Sequence, residues 1–356
     1  MIDTLLSSDL PRSRLLSFFL VVALLYLVIA PFAFPGGRSL NVAATICVLA
    51  ILTASFDLLL GYCGVISFAH AMFYGIGAYG VAIAVRHLGP TWSALAIGVA
   101  ASVALSLVLS LLIALLSLRV KTIYYTMMTF AFAAAFGTFI IRASGFTGGD
   151  DGINFRLPEF LMPGFTLFDV ELLGVAVTGK TLTYYLVLIA AVALLLVLLR
   201  IVNSPFGKVL QAMRENELRA DAIGYRTLHY RVVANCIAAT FATLAGVLMA
   251  LWLRYVGPQT VVSLPVILNI LLIAVIGGMG TIYGAVVGAV IFLVAENYLQ
   301  AGLGALKPVA ASVPLLHDLI DPDRWLLWFG IAFVLSVYFF PSGVVGKLRS
   351  ARKPVL

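Results

Sequence analysis

Charge is what this chain has least of. Asp, Glu, Lys and Arg make up 10% of its 356 residues, against 63% hydrophobic residues. A water-soluble domain carries nearer a quarter charged residues, so a soluble globular fold is excluded. Cysteine is scarce too. Cys47, Cys63 and Cys236 lie at apolar positions without metal-like spacing, which leaves them as small core residues. His70, His87, His229 and His317 fall far apart and suggest no metal or catalytic cluster. The string G-x-x-x-x-G-K-[ST] occurs once, as GVAVTGKT at 174–181, but it runs straight into an apolar segment of membrane length and not from a strand into the helix of a nucleotide-binding unit; H-E-x-x-H and G-x-S-x-G are absent. The chain therefore does not split ATP through a P-loop of its own, and zinc-peptidase or serine-hydrolase chemistry is not expected. No enzyme activity, cofactor or metal is expected. The net charge of +7 is not gathered into basic patches interleaved with aromatics, so a nucleic-acid interface is not expected either.

What is present is long apolar runs. Ten segments are long enough to cross roughly 30 Å of hydrocarbon as helices: about 15–35, 39–60, 66–86, 91–117, 122–141, 182–200, 231–252, 264–282, 284–300 and 324–341. Arg12 and Arg14 before the first run imitate a signal peptide, but the run is long and no A-x-A-like site closes it; a retained first helix is expected. Segments eight and nine nearly abut through GGMGTIYG and read as a tight hairpin or as broken helices. The expected fold is an all-α polytopic membrane protein of about ten transmembrane helices forming one domain over residues 1–356.

Ten helices put both termini on one side, and the charges favour that side as the cytoplasm. Arg12, Arg14, Arg119, Lys121, six basic residues between Arg200 and Arg231, Lys347, Arg349, Arg352 and Lys353 then all lie inside. This is most of the chain's 22 Lys and Arg residues, as the positive-inside rule requires. The loop at about 142–180 carries Asp150, Asp151, Glu159, Asp169 and Glu171 and is placed outside. A nine-helix arrangement would put either this loop or the basic tail at 342–356 on the wrong side.

The stretch from Arg200 to Arg231 is a charged island between two apolar segments, and it has helix grammar. Ser204 is an N-cap with Pro205 at the first helical position. Phe206, Val209, Leu210 and Met213 recur at three- and four-residue steps and form an apolar stripe. Asn216 caps a second short helix running to Ile223, with Gly224 as its stop. Lys208, Arg214, Glu215, Glu217, Arg219 and Asp221 lie on the polar side. Two readings stay open: a solvated helix lying on the membrane, or a docking element whose stripe seats it on the bundle while its charged face meets a cytoplasmic partner.

Other motifs read more plainly. Gly75, Gly77 and Gly80 match G-x-G-x-x-G, but within an apolar helix of membrane length they are better explained by close helix approach than by a dinucleotide. Gly280, Gly284 and Gly288 form a G-x-x-x-G-x-x-x-G face of the same kind. Asp57, Asn235, Asn269, Glu296 and Asn297 fall within or near the ends of apolar segments, where lipid would leave them unsatisfied. Interhelical hydrogen bonds and a polar translocation path are both compatible with them.

Three stretches carry a family resemblance: FDLLLGYCGVISFAHAMFYGIGAY at 56–79, NSPFGKVLQAMRENELRADAIGY at 203–225 with its continuation to Ala250, and IGGMGTIYGAVVGAV at 276–290. TGGDDGI at 147–153 also fits. They resemble the LivM-type permease subunit of branched-chain (hydrophobic) amino acid ABC importers, over most of the chain from about residue 40 to 345. The resemblance implies a cytoplasmic coupling loop at about 201–230, with Arg214, Glu215, Asn216, Glu217, Arg219, Ala222 and Gly224 as the residues that couple to the ATPase. It also implies a homologous second permease, two cytoplasmic ATPase subunits, an external amino-acid-binding protein and a bacterial inner-membrane location. Asn269 stands where many relatives carry Glu. Ser67, Thr126, Thr129 and Asn269 are the expected path-lining residues. The same family includes urea and short-chain amide importers, and a self-sufficient secondary transporter or channel is the rival class.

Overall fold

The computed structural model describes residues 14–33, 37–117, 122–166, 178–307, 321–339 and 343–350. Each of the ten apolar segments is a helix. The long helices are α1 (Arg14–Ala33), α2 (Gly37–Asp57), α3 (His70–Leu88), α4 (Trp92–Ser117) and α5 (Thr122–Arg142). After the short α6 (Ser144–Thr147) come α7 (Gly179–Val202), α8 (Pro205–Glu215), α9 (Glu217–Ala222) and α10 (Thr227–Leu253). The short α11 (Pro258–Val261) precedes α12 (Leu264–Gly277), α13 (Ile282–Leu306), α14 (Trp325–Phe339) and α15 (Gly343–Ser350). Among the described residues, nine helices are long and apolar enough to span a bilayer, and α1 adds a shorter apolar core at Leu16–Phe32. The protein is thus an all-α polytopic membrane protein. Arg12, Arg119, Lys121, Arg352, Lys353, Asp169 and Glu171, which enter the charge argument, lie outside the described residues.

Helix α2 is the centre of the bundle. It is apolar on every side, as a fully enclosed helix must be, and α7, α10, α12 and α13 surround it. Beyond Asp57 it continues as a π-helical turn, Leu58–Cys63, ended by Gly64 at φ +75°. Helix α3 packs on α10 and α4. At the periphery, α14 has no buried residue and touches α13 through the edge-on pair Phe292 and Phe329, 5.2 Å between ring centres.

Small residues set the tightest crossings, as expected where helix association rests on close packing. A Cβ on Gly77 of α3 would stand 1.9 Å from the Thr243 carbonyl oxygen of α10, and one on Gly246 of α10 would stand 1.9 Å from the Tyr74 carbonyl oxygen of α3. Gly288 likewise faces the Ile273 carbonyl of α12, and Gly75 faces the Val262 side chain. Gly280 differs from the helical face drawn from the sequence. It lies before α13, in the turn from α12, at φ +81°. Segments eight and nine are therefore two helices joined by the tight turn 278–281.

The loop after α5 folds back on the bundle. Its residues Ile153–Asn154 (β1) pair antiparallel with Tyr255–Val256 (β2), the link between α10 and α11. The glycines of the TGGDDGI stretch permit this return. Gly148, Gly149 and Gly152 all have positive φ, and a Cβ on Gly152 would stand 2.3 Å from the Val256 carbonyl oxygen.

Candidate functional site

The charged island folds as two short helices seated against the bundle. Ser204 precedes α8 with Pro205 in its first turn, but the serine hydroxyl donates to the Ile201 carbonyl (2.6 Å) instead of accepting from the helix. Of the apolar stripe, Val209, Leu210 and Met213 are buried, and Phe206 stacks on Tyr230 of α10. Asn216 caps α9, its side chain accepting from the Arg219 amide at 3.0 Å. The helix closes with the paired bonds Tyr225 N–H to Ala220 O and Gly224 N–H to Asp221 O, with Gly224 at φ +100°. This is the Schellman arrangement, in which a left-handed residue satisfies the last carbonyls.

The predicted residues, all exposed but the half-buried Glu217, divide by what their side chains reach. Glu217 turns back to form an ion pair with Arg231 at the start of α10, 2.8 Å apart. Glu215, Arg219, Ala222 and Gly224 are exposed. Beside them stand Leu218, 82% exposed, and Ile223, 70% exposed. Two large aliphatic side chains bared among charges on a short polar loop form the kind of surface that a partner covers. Sequence reading singled out Glu215, Arg219, Ala222 and Gly224 of this face but not these two side chains.

Arg214 points the other way. Its guanidinium donates to the carbonyl of Gly61, inside the π-helical turn at the end of α2. The last carbonyls of a helix have no partner of their own, so a guanidinium can occupy one. Close by, Asp57 is only 2% exposed. Its carboxylate accepts the Gly280 amide at 2.9 Å on both oxygens and the Thr281 amide at 3.0 Å. Thr281 is the residue that opens α13, so the carboxylate sits at the positive end of a 25-residue helix, where backbone N–H groups and the helix dipole both favour an anion. Gly61 has no room for a side chain: a Cβ there would stand 2.3 Å from both Asp57 Oδ1 and Gly280 N. Of the two readings left open for Asp57, the structure shows the interhelical hydrogen bond. The participation of Gly61, Gly280 and Thr281 was not foreseen. The sequence signal available was a glycine one turn after Asp57 together with the glycine pair of GGMGT.

Three of the expected path residues come together at the link between α2 and α3. Thr126 Oγ1 donates to the Ile66 carbonyl (3.2 Å), and Thr129 Oγ1 accepts the Phe68 amide (3.1 Å). Ser67, fully buried, lies between those two anchored positions. Asn269 sits on α12, half-buried, and among the described residues no hydrogen bond joins it to this cluster. Asn235 of α10 is buried in a network of its own, accepting from the Tyr125 hydroxyl (3.1 Å) and donating to the Ser110 carbonyl (2.9 Å). No group of three or more His, Cys, Asp or Glu side chains able to hold a metal gathers among the described residues.

A bundle of membrane-length helices with a charged loop seated on it is compatible with many functions, and comparison with known proteins decides among them. Residues 38–335 match a family described as the branched-chain amino acid transport system permease component. The chain belongs to that permease family. The matched span holds the α8–α9 loop and the Asp57 node, and ends within α14. Curated relatives of this permease include the high-affinity branched-chain amino acid transport system permease protein LivM of Escherichia coli K12, 27% identical over 301 residues, covering 79% of this chain and 68% of the relative. The probable LivM of Methanocaldococcus jannaschii is 28% identical over 174 residues, 48% of this chain and 47% of its own. The high-affinity branched-chain amino acid transport system permease protein LivH of Escherichia coli K12 is 22% identical over 303 residues, 84% of this chain and 91% of its own. No solved structure matches the permease. It is a multi-pass membrane transport protein and not an enzyme.

Proposed function

We propose that this permease is the membrane subunit of an ABC importer that carries branched-chain or other hydrophobic amino acids into the cytoplasm of a bacterium across its inner membrane. Both termini lie in the cytoplasm, ATP is split by two separate cytoplasmic subunits, a homologous second permease completes the pathway, and an external binding protein delivers the substrate. The observation that carries this reading is the α8–α9 loop. Its buried stripe fixes it to α10 and α2, while Glu215, Leu218, Arg219 and Ile223 are left facing outward. The one G-x-x-x-x-G-K-T string, at 174–181, runs into the membrane-length helix α7 and not into a nucleotide-binding unit, so in this reading the energy of transport enters from another protein, and this face is where that protein docks. Ser67, Thr126, Thr129 and Asn269 line the path.

The test uses the complete operon in a transport-deficient bacterial strain. Leu218→Asp and Ile223→Asp together are expected to leave the permease in the membrane, to release the ATPase subunits on purification and to abolish leucine uptake. Normal uptake by that variant would sink the docking role. Competition fixes the cargo: unlabelled leucine, isoleucine, valine or phenylalanine is expected to displace labelled leucine. Displacement by urea or short-chain amides alone would move the cargo to that branch of the family. Uptake by the permease without its partner genes would make it a self-sufficient transporter.

A further inference from the structure

We propose that Asp57 and Arg214 form a relay through which movement of the α8–α9 loop enters the bundle, with Asp57 as the positioning residue that passes it from α2 to the turn between α12 and α13. This rests on the reading of α8–α9 as the ATPase-docking loop and says where the stroke goes next.

Four observations carry it. Arg214 stands in the last turn of α8, next to the exposed face, yet its guanidinium leaves that face to hold the Gly61 carbonyl. Its side chain runs along glycine: a Cβ on Gly64 would stand 3.1 Å from Arg214 Cγ, and one on Gly280 would stand 3.2 Å from Arg214 Nη1. Gly61 in turn presses backbone to backbone on Gly280, with no side chain between to absorb a shift. Asp57 then clamps the Gly280 and Thr281 amides, at the entry of α13. The series Arg214, Gly61, Asp57, Gly280 and Thr281 therefore joins the loop to α2 by a hydrogen bond, and α2 to the turn between α12 and α13 by the Asp57 clamp and the close Gly61–Gly280 backbone contact.

The end of α2 where this happens is π-helical. A π turn is a local defect in the helical ladder and recurs at functional positions. It has an obvious second arrangement, the ordinary α-helical one, and two-arrangement elements are what carry coupling between distant sites. In the relay, displacement of α8 pulls the Gly61 carbonyl and shifts the π turn, and the Asp57 clamp makes α12 and α13 follow. Helix α12 bears Asn269, so the movement arrives at an element placed on the path. Arg214 thus belongs to the relay and not to the docking face.

The experiment reconstitutes the complete complex, with ATPase subunits and binding protein, in proteoliposomes and measures leucine transported per ATP hydrolysed. Asp57→Asn keeps the size of the side chain but loses the charge and one acceptor oxygen. It is expected to lower that ratio at least tenfold while the ATPase rate stays within about twofold of the wild type. Arg214→Gln is expected to do the same with the ATPase subunits still bound, and Arg214→Lys, which can still donate to Gly61, to recover most of the ratio. The double variant is expected to be no worse than either single one, because both break one relay; a general loss of stability would instead accumulate. An unchanged ratio in Arg214→Gln, a double effect equal to the product of the single ones, or loss of the ATPase subunits from Arg214→Gln each overturns the relay. Should Asp57→Asn fail to assemble, the two Arg214 variants decide alone. A wild-type complex that binds no ATPase would instead refute the docking reading, and the relay with it.

Discussion

The crossing of α3 and α10 gives a prediction whose size follows from two distances. Gly77 faces the Thr243 carbonyl and Gly246 faces the Tyr74 carbonyl, one turn along, and at either place a methyl group would stand 1.9 Å from the oxygen. Taking about 3.3 Å as the near limit of a C···O contact, the two backbones must part by about 1.4 Å to accept a single alanine. The atoms in the way are backbone, so no rotamer change relieves them. Overpacking of this kind costs about 1–3 kcal/mol, and Gly77→Ala and Gly246→Ala are each expected to fall in that range. Because the same separation relieves both clashes, Gly77→Ala/Gly246→Ala should cost little more than the worse single variant. The assay is reversible unfolding in mixed micelles, with all four proteins compared at one lipid-to-detergent ratio. Singles within 0.5 kcal/mol of the wild type, or a double variant equal to the sum of the singles, would refute the geometry, since strictly additive costs mean that the two contacts yield independently.

Further expectations address other contacts. In a cycle of Tyr125→Phe and Asn235→Leu, a coupling of about 0.6–1.7 kcal/mol is expected, the range found for hydrogen bonds between membrane helices; zero coupling would mean that the hydroxyl and the amide do not bond. Gly224→Val forces a β-branched residue into the left-handed region and should cost about 1–2 kcal/mol locally, seen as faster amide exchange at 220–226, with Gly224→Asn milder; equal exchange in the two variants would count against the Schellman closure. Glu217→Gln should cost at most about 1 kcal/mol, since its partner-facing carboxylate is partly solvated, and a larger loss would show that the Arg231 pair is more than an exposed tether. Near the foot of α14, the Lys307 ammonium hydrogen-bonded to Asp321, and then the Asp323 amide, hold the Asp321 carboxyl below its ordinary range. A depressed folded value means that the pair contributes fully above about pH 4, the ordinary carboxylate range, and is lost as pH falls through the folded value. Amide protection at 321–324, taken relative to the intrinsic exchange rate at each pH, is thus expected to fall between about pH 5 and 3, and Asp321→Asn to abolish the change; a loss of protection that survives this substitution would locate the titrating group elsewhere.

The helices were legible in the sequence because lipid imposes one dominant rule, an apolar run of fixed length, and each of the ten runs obeys it. The island at 203–225 was legible for a different reason. Its caps and stops are local, so Pro205, Asn216 and Gly224 announce the two short helices without reference to the rest of the chain. What escaped is what depends on distant partners. Nothing near Arg214 says that its guanidinium reaches the Gly61 carbonyl, and nothing near Asp57 says that its donors are the amides of Gly280 and Thr281. The G-x-x-x-G-x-x-x-G string also misled at one position, because a sequence pattern cannot say where α13 begins. Gly284 and Gly288 lie in that helix, whereas Gly280 is in the turn before it. The exposed Leu218 and Ile223 escaped for the opposite reason, since among so many aliphatic residues only the folded chain shows which ones lie bare.

The Asp57 clamp also sets a clock on the making of the protein. The carboxylate and the amides it needs are 223 residues apart, and the Arg214 contact on Gly61 spans 153. At about 5–20 residues per second, on the order of ten to forty seconds separate the emergence of α2 from that of the turn that satisfies its aspartate. Throughout that interval a nascent chain carries an acidic group at the end of an otherwise apolar helix with no partner for it, a state that costs free energy in a bilayer. Completion of the α12–α13 turn ends it. A chain stalled before that turn thereby differs from a finished one in holding an acidic group without the two amides that satisfy it.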